Sequence, residues 1–151
     1  MLRRTHIAIA LAVALYFVPY VSQKLKLLFI PIVIVSTLLP DLDSGFSRIG
    51  RGVISKPIQM FTEHRGILHS YTLCLALSVL FAFFYPIVAL PFFLGYSFHL
   101  FADSFTVRGI KPFWPLKFVA SGNVNTGGKA EMAIFWVFVL IDVFMVVFLL
   151  F

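Results

Sequence analysis

Residues 86–105 read PIVALPFFLGYSFHLFADSF, a run of membrane-span length that is apolar for three turns and then ends in ligand-type side chains. A transmembrane helix needs about 20 mostly apolar residues to cross ~30 Å of hydrocarbon, and this run supplies them. A helix that is hydrophobic all round has no face to turn toward water. At its C-terminal end His99 and Asp103 stand four residues apart, so they project from one helical face. Pro91 is expected to kink the helix, which neighbouring helices in a membrane can accommodate.

Four more apolar runs flank it: His6–Tyr20, Leu27–Leu39, Gly66–Phe84 and Glu131–Phe151. The expected fold is therefore all-α, a polytopic membrane protein in which residues 1–151 form one compact bundle of about five short transmembrane helices. Composition agrees: 61% of the chain is hydrophobic, 19 residues are Phe, and only 12% are charged, against about a quarter in soluble domains. The first two runs are short for a full crossing, so a re-entrant hairpin of runs one and two is the competing expectation. Runs three and four meet at Tyr85-Pro86, which predicts a tight helical hairpin. The N-terminal run has the basic start and apolar stretch of a signal peptide, but no small-residue cleavage site follows at Val18, Pro19, Tyr20 and Val21. It is expected to be retained as the first helix.

With five spans, one side of the membrane receives Arg3, Arg4, Arg48, Arg51, Lys56, Arg65, Arg108, Lys111, Lys117 and Lys129, and the other receives Lys24 and Lys26. That asymmetry predicts an inner-membrane protein with a cytoplasmic N-terminus and an external C-terminus. The net charge of +6 is spread over loops between apolar runs. It suits orientation and anionic headgroups, and nucleic acid is not the expected partner. Cys74 lies alone inside an apolar run and is expected to serve as a small packing residue.

On this map His6 begins span one, and Asp41 and Asp43 follow span two. Glu63, His64 and His69 flank the start of span three, His99 and Asp103 end span four, and Glu131 begins span five. Starts of odd helices and ends of even helices share one face of an antiparallel bundle, so all nine side chains are expected at the cytoplasmic mouth. Buried carboxylates and imidazoles are costly in a membrane, on the order of 2.5–3.5 kcal/mol for a central Asp, and a bound divalent cation compensates them. Taken singly, each has a plainer account. An interfacial His commonly caps or snorkels, Glu131 favours the helix dipole, and Asp43 can shape a loop with Ser44 and Gly45. Five segments agreeing on one face favour a metal site with His6, Asp41, Asp43, His64, His69, His99, Asp103 and Glu131 as candidate ligands. The pairs Asp41/Asp43 and His64/His69 remain alternatives. Asp142 falls roughly 16 Å along its helix from Glu131 and has no role in this scheme.

Thr5-His6, Pro40-Asp41-Leu42-Asp43, His64-Arg65-Gly66-Ile67-Leu68-His69-Ser70 and the Gly95–Asp103 stretch together resemble the membrane-bound metal-dependent hydrolases, also described as LexA-binding inner-membrane hydrolases. The resemblance covers nearly the whole chain. The order His, Asp, His, His-x-x-x-Asp is also similar to the zinc-dependent phospholipase C and P1 nuclease group, helical enzymes whose metal cluster cleaves phosphodiesters. No histidine follows Asp103 here, so the resemblance implies a reduced site of one or two ions.

The expected function is a metal-dependent hydrolase acting on a phosphoester, with a phospholipid or lipid phosphate as substrate, at the cytoplasmic leaflet. Histidine and carboxylate ligands suit zinc best among divalent metals. His64, or His69 where it is not a ligand, is the expected general base, and Arg65 the clamp on a phosphate oxygen. The sequence has no His-Glu-x-x-His, which disfavours an intramembrane metalloprotease. The alternatives are a cation transporter, or a scaffold or regulator with a structural metal.

Overall fold

The computed structural model describes residues 1–41 and 67–151. Among them are five α-helices: α1 (Arg3–Phe17), α2 (Gln23–Leu38), α3 (Tyr71–Phe84), α4 (Pro86–Ser104) and α5 (Lys129–Leu150). Short 3-10 turns extend three of these at Val18–Tyr20, Leu39–Asp41 and Ile67–His69. Asp43, Glu63, His64 and Arg65 lie outside the described residues.

Three helices have the length and composition to cross a membrane: Gln23–Asp41, Pro86–Ser104 and Lys129–Leu150. At 1.5 Å per residue, α1 and α3 span only about 22 and 21 Å, short of a ~30 Å hydrocarbon layer. The second run starts earlier than the apolar count alone indicates, at Gln23 rather than Leu27. Lys24 and Lys26 therefore belong to the first turn of α2. Long basic side chains can lie along apolar surface while keeping the charged head in water, so they do not end the helix.

Side-chain placement inverts that of a soluble protein. In α5 the buried residues are Glu131 and Asp142, whereas Leu140, Phe144 and Phe148 are 69%, 70% and 74% exposed. Contiguous apolar surface on this scale marks contact with lipid or protein, not water.

Helix α4 lies at the centre, packed on α2, α3 and α1, while α5 packs on α1. Phe29, Val33 and Thr37 recur every four residues on α2 and are fully or almost fully buried, with Ala10, Ala14 and Leu94 closing the same cluster. The tightest contact is at Gly95 of α4. A Cβ there would stand 2.2 Å from the Val33 carbonyl oxygen and 3.0 Å from the Thr37 nitrogen. Thr37 Oγ1 donates to the Gly95 carbonyl at 2.7 Å, tying the two backbones across the contact. Small residues at helix crossings let membrane helices approach in this way.

The segment after α4 folds back as a loop clamped by paired backbone bonds between Ile110 and Ala120, both at 2.9 Å, and by Val124 N donating to the Phe105 carbonyl at 3.0 Å. Gly109, at φ 61°, turns the chain where a side chain would meet the Ala120 carbonyl.

Gly95→Ala should therefore separate α2 from α4. Overpacking of this kind costs about 1–3 kcal/mol, and a larger loss is expected because the obstruction is backbone. Thermal unfolding in detergent measures it, with Gly127→Ala as a control that meets no neighbour within 4 Å but carries the strain of φ 80°.

Candidate metal centre

Each helix delivers its polar side chain to the same end of the bundle by its own local device. On α4, Gly95, His99 and Asp103 repeat every four residues and form one stripe. Because Gly95 admits the α2 backbone, the C-terminal 3-10 turn of α2, Leu39–Asp41, ends beside His99. His6 sits one turn into α1, above Ala10 on the face packed against the core.

His69 arrives from the turn before α3. Ser70 is the N-cap of that helix: its hydroxyl accepts from Leu73 N at 3.3 Å and donates to the Ile67 carbonyl at 2.6 Å. Tyr96 of α4 donates its phenol proton to the Leu68 carbonyl at 2.6 Å, and Tyr71 N donates to the Pro112 carbonyl at 2.8 Å. The turn is held from α4 and from the long loop together, and His69 points inward with 2% exposure.

The structure thus brings together His6, Asp41, His69, His99 and Asp103. His6 Nε2 is 3.3 Å from Asp103 Oδ1. His69 Nε2 lies 3.9 Å from both Asp41 Oδ1 and Asp103 Oδ2. His99 Nε2 lies 4.0 Å from Asp41 Oδ1 and 3.9 Å from Asp103 Oδ2. The rings of His6 and His99 stack at 3.8 Å, with His69 edge-on to His99 at 5.5 Å. The amino group of Met1 also pairs with Asp103 Oδ1.

Two overlapping triads have ligand atoms within 4.8 Å of one another: His6, Asp41 and His99, and His69, His99 and Asp103. Separations of 3.9–4.0 Å are too long for hydrogen bonds. They fall inside twice a zinc–ligand bond of about 2.1 Å, so one small cation can reach both members of such a pair. Neither ring nitrogen of His99 has a hydrogen-bond partner among the described residues, although His99 is 1% exposed. Buried polar groups are rarely left in that state. The donor set, three imidazoles and two carboxylates, suits a divalent metal of the zinc type.

Glu131, expected on sequence grounds as a ligand, belongs to neither triad. Its carboxylate is already engaged. Oε1 accepts from Leu2 N at 2.5 Å and Thr5 Oγ1 at 3.0 Å, and Oε2 accepts from Gly127 N at 2.6 Å. This makes it the clasp between the N-terminal ends of α1 and α5. Asp142 is also buried, and its Oδ1 has no hydrogen-bond partner among the described residues.

Residues that the sequence reasoning passed over as functional are Gly95, Thr5 and Tyr96. Gly95 is visible in retrospect as the small residue one turn before His99, and Thr5 as the hydroxyl beside His6. Nothing local marks Tyr96, whose partner Leu68 is 28 residues away.

Glu131→Ala should strand three donors, at about 1 kcal/mol or more each, and lower stability by roughly 2–4 kcal/mol. Glu131→Gln, which keeps one acceptor oxygen, should lose less. Denaturant unfolding of the detergent-solubilised variants compares them.

The sequence comparisons agree with a membrane setting. Over 97 residues the chain is 37% identical to "Inner membrane protein YdjM" of Escherichia coli (strain K12) and, to the same degree, to its counterpart in Shigella flexneri. The alignment covers 58% of this chain and 50% of each relative, so it spans about half the length of the curated relatives it matches. No solved structure matches the chain. The family model for the YdjM inner membrane protein matches residues 1–151, and together with its apolar helices this shows that the chain is an integral inner-membrane protein belonging to the YdjM family.

Proposed function

We propose that the His6, Asp41, His69, His99 and Asp103 cluster is the divalent-metal centre, of one or two ions and most simply zinc, of a membrane-embedded phosphoester hydrolase. The observation that carries this reading is the convergence of three imidazoles and two carboxylates from four separate segments at 3.3–4.0 Å, with the His99 nitrogens otherwise unengaged. A divalent ion held there supplies an acidified water and a Lewis acid for a phosphoryl oxygen.

The chain's own groups would divide the remaining tasks. The stacked His6 and His99 rings hold their ligand nitrogens in fixed orientation. Asp41, with 18% side-chain exposure, is the most accessible member of the cluster. His64 as proton acceptor and Arg65 as phosphate clamp enter on sequence grounds, four and five residues before His69 for Arg65 and His64 respectively.

The substrate class follows from the setting. Arg3, Arg4, Arg108, Lys111, Lys117 and Lys129 are carried by segments at the cluster's end of the bundle, against Lys24 and Lys26 at the other end. Near an anionic membrane each basic residue contributes about 1 kcal/mol of attraction, which concentrates phosphate headgroups beside the cluster. The same asymmetry supports a cytoplasmic placement of that end. A structural-metal scaffold has less support, because structural zinc sites are rich in Cys, and buried Cys74 packs with Phe92, Tyr96 and Leu100 instead.

Two experiments test the reading. Protein purified in detergent should carry a divalent metal, lost in His99→Ala and retained in Asp142→Asn. It should also hydrolyse a lipid phosphoester in a chelator-sensitive way, at least tenfold more slowly in His69→Ala or Asp41→Ala. A folded parent protein without metal refutes the enzyme reading, and a metal-loaded one inactive on phospholipids, lipid phosphates and model phosphodiesters refutes the substrate class. For orientation, Ser22→Cys and Ser121→Cys in a Cys74→Ala background occupy exposed sites at opposite ends. Impermeant reagent added outside the cell should label the first and spare the second; the reverse pattern would put the cluster on the outer face.

A further inference from the structure

Beside the cluster, on the opposite side of α4 from α3, lies a cavity of about 300 Å³ bounded by Ile9 of α1, Phe98, Phe101 and Ala102 of α4, and Ile134 and Phe138 of α5. It exists because α4 and α5 each pack on α1 rather than on each other, leaving a slot between them that is open on one side. Met1 closes its inner end, and the amino group of the same residue meets Asp103. Ala102 is the residue before Asp103, so one wall residue of the slot is the chain neighbour of a candidate metal ligand.

We propose that this slot holds one acyl chain of the phospholipid whose phosphate is presented to the metal cluster. The inference rests on the phosphoester reading above and specifies the substrate as a lipid held by its tail. Four features support it. The walls carry no polar side chain, so water gains nothing by entering. A cavity of about 150 Å³ holds a benzene ring, so twice that volume suits a segment of an acyl chain. The slot opens between two helices of membrane-span length, α4 and α5, and Phe101 and Phe105 beside it are 51% and 48% exposed. What the opening meets is therefore lipid. Finally, the slot runs along α4 from Phe98 to Phe105, about 10 Å of helix, and so passes the level of Asp103.

Membrane lipid tails are as apolar as the wall, so tail burial alone gives little preference over the bilayer. Selective occupancy must come from the headgroup, and this separates a substrate slot from a passive groove. The probes are a phosphonate analogue of phosphatidate with a diazirine in mid-chain, which resists hydrolysis, and a diacylglycerol with the same photolabel. Each is irradiated with the parent protein in nanodiscs and mapped by peptide sequencing. The phosphonate lipid should label Phe98–Phe105 and Ile134–Phe138 at least fivefold more than diacylglycerol does. Ala102→Phe and Ile134→Trp, which fill the slot from opposite walls, should each cut that labelling at least fivefold and leave labelling around Phe144 unchanged. Equal labelling by the two lipids, slot labelling no stronger than at Phe144, or labelling that survives both substitutions would overturn the proposal. Headgroup-dependent labelling without any turnover would keep the slot and remove the hydrolase, so the two failures are distinguishable.

Discussion

The backbone of α4 touches the backbone of α2 at Gly95, and the geometry of the polar end follows from that contact. A Cβ at this position would overlap the Val33 carbonyl oxygen at 2.2 Å, so a side chain would push the helices apart. Two turns further along α4 stands Asp103, and at the corresponding end of α2 stands Asp41. Their spacing from His99, 3.9 and 4.0 Å, leaves little tolerance. A displacement of 1 Å at the crossing would take Asp41 beyond the reach of a shared cation. The apolar packing of Phe29, Val33 and Leu94 thus helps set the positions of the charged groups, although none of these belongs to that cluster.

The second organising constraint is that polar groups in an apolar bundle must find partners inside it. This chain meets it in two distinct ways. Thr37, Ser78 and Ser97 return their hydroxyl protons to carbonyls, at 2.7, 2.7 and 3.3 Å, and Glu131 takes three donors from two other segments. These groups are satisfied by the protein itself. His99 is not, and its two ring nitrogens have no such partner among the described residues. The difference between Glu131 and His99 separates a polar residue satisfied by the protein from one left available to a ligand, and it is a difference of surroundings, not of residue type.

This explains how much the sequence disclosed. The helical bundle was legible because apolar run length is a property of the chain alone, and the runs are interrupted at Tyr85-Pro86 and by polar loops. The gathering of His6, Asp41, His69, His99 and Asp103 at one end was legible because antiparallel topology converts positions in sequence into positions in depth. The separation of Glu131 from the ligand triads was not, because Glu131 shares their depth and differs only in which neighbours face it. The start of α2 was also obscured: Lys24 and Lys26 break the apolar run without breaking the helix. Tyr96 supports the turn before His69 through a carbonyl, a kind of partner that leaves no trace in side-chain pattern.

The Glu131 clasp has a consequence for how the protein is made. Thr5 and Glu131 are 126 residues apart, so α1 is synthesised long before the helix that fastens it exists. At about 5–20 residues per second, roughly 6–25 s separate the two during translation. Over that interval His6 sits on a helix of 15 residues, too short to be a stable solitary span. Until α5 emerges, α1 has only its packing on α2 and α4 to hold it. Fastening of the polar end by Glu131 is then a late event of biogenesis, and a chain truncated before Lys129 would leave the start of α1 without that clasp.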